Sequence, residues 1–177
     1  MFPKHILPLV EIAAFLLFCL GTTKAQNTTS PSARDRKFMR LVMEGENAEA
    51  ALGQLAVEKG SGDDIKRFGQ TMIDDQAQLF GQMRDVAKKE HIHAPVGTTT
   101  RDRELEARLK KLRGTSFDKA YIAATVKDQR RDLDEFNREA NHGNDTAIKD
   151  AAGRGALLIG QQLQLAEQIA HGHKMQL

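Results

Sequence analysis

Asp64-Ile65-Lys66-Arg67-Phe68-Gly69-Gln70-Thr71-Met72-Ile73-Asp74-Asp75-Gln76-Ala77-Gln78-Leu79-Phe80-Gly81-Gln82-Met83-Arg84-Asp85-Val86 spaces its apolar side chains by threes and fours. Ile65, Phe68, Met72, Leu79, Met83 and Val86 therefore share one stripe of a 3.6-residue helix, and Gln76 falls on that same stripe. Ser61 and Asp63 are candidate caps at its start. Its end is expected near Glu90, ahead of Pro95.

The same spacing recurs three more times. From Asp35 onward, Val42, Gly45, Glu49, Leu52 and Ala56 form a stripe with Phe38, Leu41, Ala48 and Leu55 beside it, and Gly60 stops that helix after Lys59. Ile122, Val126, Gln129, Leu133, Phe136 and Ala140 form another, capped by Thr115 or Ser116 and ended by Asn141-His142-Gly143. Ile148, Ala151, Gly155, Leu158, Gln162, Leu165 and Ile169 form the last, from about Asp145 to Gly172. No segment alternates with the two-residue period of a strand, so the fold class is all-α.

Helices of roughly 25 to 28 residues, each about 40 Å long, bury such stripes most simply as a four-helix bundle. The connections between helices 1 and 2 and between 3 and 4 are short enough to force antiparallel hairpins. The middle connection, residues 91 to 114, is much longer and contains Pro95, Gly97 and a short helical patch from Arg101 to Leu112. Its extended part reaches about 33 Å and the short helix adds about 18 Å. That is enough to cross the bundle, predicting a ferritin-like arrangement with a long crossover between helices 2 and 3. A plain up-down-up-down bundle is the alternative. The crossover puts His91 and His93 at the pole of His142, opposite His171 and His173.

Each stripe carries one polar residue where the period calls for an apolar one: Glu49, Gln76, Gln129 and Gln162. The helical rise places all four near mid-bundle, in one layer. Metal-holding bundles put Glu and His at such positions. A neutral amide is a poor ligand for iron, manganese or zinc, and a lone Glu49 cannot hold such an ion. The Glu-x-x-His from Glu139 to His142 falls at a helix end, away from the layer. The amides and Glu49 are expected to hydrogen-bond to one another or to trapped water.

Asn47-Ala48-Glu49-Ala50-Ala51-Leu52-Gly53-Gln54-Leu55-Ala56, Glu58-Lys59-Gly60, Ile65 to Asp75 of the quoted stretch, Phe117-Asp118-Lys119-Ala120-Tyr121 and Val126-Lys127-Asp128 together resemble the bacterial family catalogued as domain of unknown function 4142. The likeness covers about residues 35 to 170. It implies an exported protein, ferritin-like in fold and without an agreed activity. Family members commonly carry His after the aspartates of helices 2 and 3 and within helix 4. Here Gln76, Gln129 and Gln162 stand in those places and Glu49 alone matches, so the resemblance in fold carries no metal across.

The first residues differ in kind from the rest. Lys4 and His5 precede an apolar segment from Ile6 to Leu20, and Thr23-Lys24-Ala25 offers small residues ahead of Gln26. This reads as a signal peptide over residues 1–25, too short in its unbroken apolar run to span a bilayer. Cys19 follows bulky Phe18, which argues against lipidation. Cleavage removes this lone cysteine, and with it any disulfide or thiolate chemistry. Residues 26–34 read as a flexible tether, 35–172 as the helical domain and 173–177 as a tail.

Charge and composition exclude several functions. Lys and Arg number 26 against 24 Asp and Glu, aromatics are 5% and Trp is absent, so neither a nucleic-acid patch nor a stacking platform is present. No Ser-His-Asp order or nucleophile elbow appears, and Gly153-Arg154-Gly155 lacks the strand that phosphate loops require. His91 with His93, and His171 with His173, are surface pairs able to grip a divalent ion weakly. Seven glycines lie within the helices: Gly45, Gly53, Gly69, Gly81, Gly153, Gly155 and Gly160. They mark either close helix approach or a tolerated loss. The sequence thus reads as an exported, periplasmic, non-enzymatic bundle without a cofactor, acting through self-association or an envelope protein, with no integral membrane segment after cleavage. The alternative is a ferritin-type metal-binding redox or ion-storage protein.

Overall fold

The structure, a computed structural model, describes residues 30–93 and 97–177. The signal peptide, Cys19 and the tether up to residue 29 lie outside the described residues. Five helices run α1 (Ala33–Lys59), α2 (Asp63–Lys89), α3 (Thr100–Lys111), α4 (Gly114–His142) and α5 (Thr146–Gly172). The described residues contain no strand, as the periodicity predicts. No helix among them is long and apolar enough to cross a membrane. The short patch in the middle connection is a full helix, α3, set by a capping box between Thr99 and Asp102.

The four long helices are neighbours in the order α1, α2, α5, α4 and back to α1, closely within the pairs α1–α2 and α4–α5 and more loosely between those pairs, so α2 and α4 face each other across the diagonal. Two clusters form the core. Leu55, Ile65, Phe68, Phe117, Tyr121, Ile122 and Ile169 fill one pole. Phe38, Met39, Leu79, Met83, Phe136, Ile148 and Ile159 fill the other. The start of α2 thus shares a pole with the start of α4, which makes those two helices parallel. The connection carrying α3 leaves the second pole, where Ile92 is buried, and arrives at the first, where Leu109 is buried.

Three of the seven helical glycines sit at close helix approaches. A Cβ on Gly69 would lie 2.7 Å from Ala56 Cβ and 2.8 Å from Gly53 O, and one on Gly53 would lie 2.8 Å from Ile73 Cγ1. A Cβ on Gly155 would stand 2.3 Å from the Phe136 ring. Among the described residues Gly45, Gly81, Gly153 and Gly160 meet nothing closer than 3.8 Å, so there the lost propensity buys no contact.

Several local expectations change. Helix α2 starts after Gly62 with no side-chain cap, because Ser61 is drawn away to Asp118: its N–H donates at 3.0 Å and its hydroxyl donates to the second carboxylate oxygen. Helix α4 starts at Gly114 after Arg113, and neither Thr115 nor Ser116 caps it. Helix α1 begins two residues before Asp35, because Ser32 and Asp35 form a capping box. Residues 33 and 34 therefore belong to the helix and not to a tether. The expected tail is tied down at two points, with His173 Nε2 2.6 Å from Asp64 Oδ2 and Met175 against the first cluster.

Candidate ligand-binding cavity

Helical spacing brings three of the four stripe residues to one place. Glu49 from α1, Gln76 from α2 and Gln129 from α4 line a cavity of about 440 Å³. Its walls are apolar where Phe38, Val42, Leu79, Phe136 and Ile159 meet. Its mouth is ringed by charge, from Glu44 on α1, Arg101 and Asp102 on α3, and Arg131, Asp132 and Glu135 on α4. Gly45, one turn before Glu49, leaves room: a Cβ there would lie 3.8 Å from Glu49 Oε1. The volume falls within the range of small-molecule sites.

The polar layer is only partly paired. Gln76 donates its amide N–H to Glu49 Oε2. Gln129 offers its amide to the Met72 sulfur at 3.9 Å, a weak acceptor. Gln162 turns to the other side and donates to Asp75 Oδ2 at 3.2 Å, so it is not part of the cavity lining. The expected mutual network thus reduces to one amide–carboxyl pair. Among the described residues the carbonyl oxygens of Gln76, Gln129 and Gln162 have no hydrogen-bond donor, although the three residues are at most 3% exposed. An orphaned buried acceptor costs about 1–3 kcal/mol.

Burial first, and then Asp132 and Asp128, push the Glu49 carboxyl up to about 8 against the opposing pull of Arg131. Asp132 is itself raised, by burial first, with Arg131 opposing. The two arginines at the mouth are committed to these acids. Arg131 reaches Asp128 at 3.0 Å and Asp132 at 2.9 Å, and Arg101 pairs with Asp128 as well.

This donor set is a poor fit for a ferritin-type metal centre. One carboxylate, already accepting an N–H from Gln76, stands among neutral amides. Among the described residues no group of three or more His, Cys, Asp or Glu is placed to hold an ion. His91 and His93 lie beside Ile92 at the second pole, whereas His171 and His173 lie by the first. The two surface pairs therefore do not meet.

Three buried acids carry structure that the stripes did not announce. Asp35 is fully buried and accepts from Ser32 N at 2.7 Å, Asn144 N at 2.8 Å and Asp145 N at 3.2 Å. Burial opposes its ionisation, but the neighbouring Glu139 and these amides hold it down at about 2. Glu139 is pushed up to about 7, by burial first and then by Asp35, against Arg34. Asp118 is the third, holding Ser61. The Ser-x-x-Asp pattern from Ser32 to Asp35 was the available signal for the first of them.

A family model described as Domain of unknown function (DUF4142) matches residues 20–169. No curated protein and no solved structure matches the chain.

Proposed function

The chain belongs to that family of unknown function, and on this footing we propose that it is an exported, ferritin-like, non-enzymatic binding protein that receives a small molecule between α1 and α4. The observation that carries the reading is the cavity of about 440 Å³, with apolar walls and with Glu49, Gln76 and Gln129 in its lining. The parallel, diagonal placement of α2 and α4 supports the ferritin-like arrangement, because a long crossover between the second and third long helices has that geometry. Export and a periplasmic location rest on the Lys4 to Ala25 segment. The cavity moves binding from the outer surface, where composition alone would put it, to the interior.

The test is native mass spectrometry of the protein purified from the envelope of its own host. A non-covalent small-molecule adduct is expected on wild type and absent from Gly45→Phe, which fills the cavity from α1. Wild type without an adduct, or an adduct undiminished by Gly45→Phe and by a second filling variant, Val42→Trp, overturns the cavity as the site.

A further inference from the structure

We propose that the cavity selects a free primary amine with a compact apolar body, bound as its ammonium against Glu49 and the amide carbonyls of Gln76 and Gln129. This rests on the cavity being the binding site and adds the chemical class of what enters it.

The first observation is the inventory of acceptors. Glu49 contributes a carboxyl, which becomes a carboxylate when a cation arrives, and Gln76 and Gln129 each contribute a buried carbonyl oxygen that has no donor among the described residues. An alkylammonium has three N–H donors and no acceptor, so its head matches the Glu49 carboxyl, which accepts from Gln76, and two carbonyls that lack a donor. The terminal amide torsion of Gln is broad, which lets both carbonyls turn to a head group beside Glu49. A carboxylate or a phosphate would bring more acceptors to a place that already has too many.

The second observation is charge. The lining holds Glu44, Glu49, Asp102, Asp132 and Glu135 against Arg101 and Arg131, with no lysine. Both arginines are already paired with Asp128 or Asp132, so neither is free to receive an anionic head. The acidic excess draws in cations. The third observation is the wall: Phe38, Val42, Leu79, Phe136 and Ile159 give an apolar body a surface to cover. A volume of about 440 Å³ admits a small molecule and not a two-chain lipid.

Binding is coupled to protonation. The groups that face Glu49 are Asp128, Arg131, Asp132 and Tyr121 from α4 and Asp102 from α3, with the neutral amide of Gln76 from α2. Near neutral pH the carboxyl of the free protein is largely protonated. An arriving ammonium stabilises the carboxylate, so one proton is released to solvent and the affinity rises with pH through about 8.

Isothermal titration of the purified protein with n-hexylammonium, n-hexanol and hexanoate decides the class. Expected are saturable binding of hexylammonium, at least tenfold weaker binding of the other two, and affinity rising between pH 6.5 and 9. Glu49→Gln keeps the shape of the side chain and should weaken hexylammonium at least tenfold while removing the pH dependence. Gln129→Leu should weaken it several-fold. Hexanol or hexanoate binding as tightly, or Glu49→Gln binding unchanged, overturns the amine class and leaves the cavity reading standing if Gly45→Phe abolishes that binding. If none of the three probes binds, the amine class falls, and the native adduct experiment decides separately whether the cavity reading falls with it. Vesicles of phosphatidylethanolamine, which present the same ammonium on a lipid headgroup, should not displace hexylammonium. Displacement would place the source in lipid and overturn the free amine.

Discussion

The seam between α1 and α2 and the seam between α1 and α4 are built on opposite terms. In the first, Gly53 and Gly69 let two backbones close until a single added Cβ would strike the neighbouring helix. In the second, both the cavity of about 440 Å³ and a smaller one of about 180 Å³ open between the same two helices. The tight seam joins neighbours linked by a turn of three residues. The open seam joins helices separated by α2 and the whole crossover. It is fastened at its two ends: Asp35 ties α1 to the turn between α4 and α5, and Asp118 ties α4 to the turn between α1 and α2. Between these ends α3 lies across both helices. Buried polar groups are obliged to find partners, so carboxylates at the ends can fix the helix separation without filling the middle. The cavity sits where α1 and α4 part, and it borrows its apolar wall, Phe38, Leu79, Phe136 and Ile159, from the second core cluster.

The largest test of this contrast removes an end fastening. Asp35→Ala strands the N–H groups of Ser32, Asn144 and Asp145 and deletes half of a capping box, and should cost about 3 kcal/mol in urea unfolding at pH 7. The sign with pH follows from the carboxyl being held at about 2 when folded, below its ordinary 3.8. Its contribution is fully present above about pH 4 and is lost as pH falls through about 2. The gap between wild type and variant should therefore stay open down to about pH 4 and narrow as pH falls from there towards 2. A loss under about 1 kcal/mol at pH 7 would show that the open seam is held elsewhere.

The tight seam is broken by adding one methyl group. Gly69→Ala places a carbon where Ala56 Cβ and Gly53 O already stand, and should cost about 2 kcal/mol through forced separation of α1 from α2. Gly81→Ala, on the same helix with nothing within 4 Å, should instead add up to about 1 kcal/mol from helix propensity alone. Equal signs for the two variants would erase the distinction between glycines that permit approach and glycines that are merely tolerated.

The periodicity made the helices legible almost to the residue, because burying a stripe on a 3.6-residue repeat leaves little freedom in where Ile65, Phe68, Met72 and Leu79 can sit. The same logic exposed Glu49, Gln76 and Gln129 as polar intruders. What it could not supply was the distance between α1 and α4, since spacing along one helix says nothing about the gap to a neighbour. Hence the cavity was invisible, and so was the turning of Gln162 towards Asp75. The caps failed for a related reason. Ser61 has the chemistry of a cap, but a buried carboxylate on another helix competes for it and wins. Likewise Gly69 and Gly81 look identical in sequence and differ only in what lies opposite.

The smallest expected effect is the one that reports on the middle of the open seam. Glu49 is held at about 8 in the folded chain, above its ordinary value, so the fold binds a proton that the unfolded chain has already released between about pH 4.5 and 8. Stability from this group is therefore highest at the acid end of that window and declines as pH rises through about 8. Glutamine at position 49 cannot ionise, yet its carbonyl still accepts from Gln76. Glu49→Gln should match wild type in urea midpoint at pH 4.5 and exceed it by about 1 kcal/mol at pH 9, a figure kept small because solvent reaches the cavity. Glu139, held at about 7, keeps part of the decline in both proteins, so the profile should flatten without becoming level. A variant that gains equally at both pH values would mean that the carboxyl is strained by packing and not by charge. One that loses at pH 9 would mean that Glu49 is ionised and paired in the resting protein, and the middle of the seam would then be a closed salt-bridged contact instead of a site waiting for a cation.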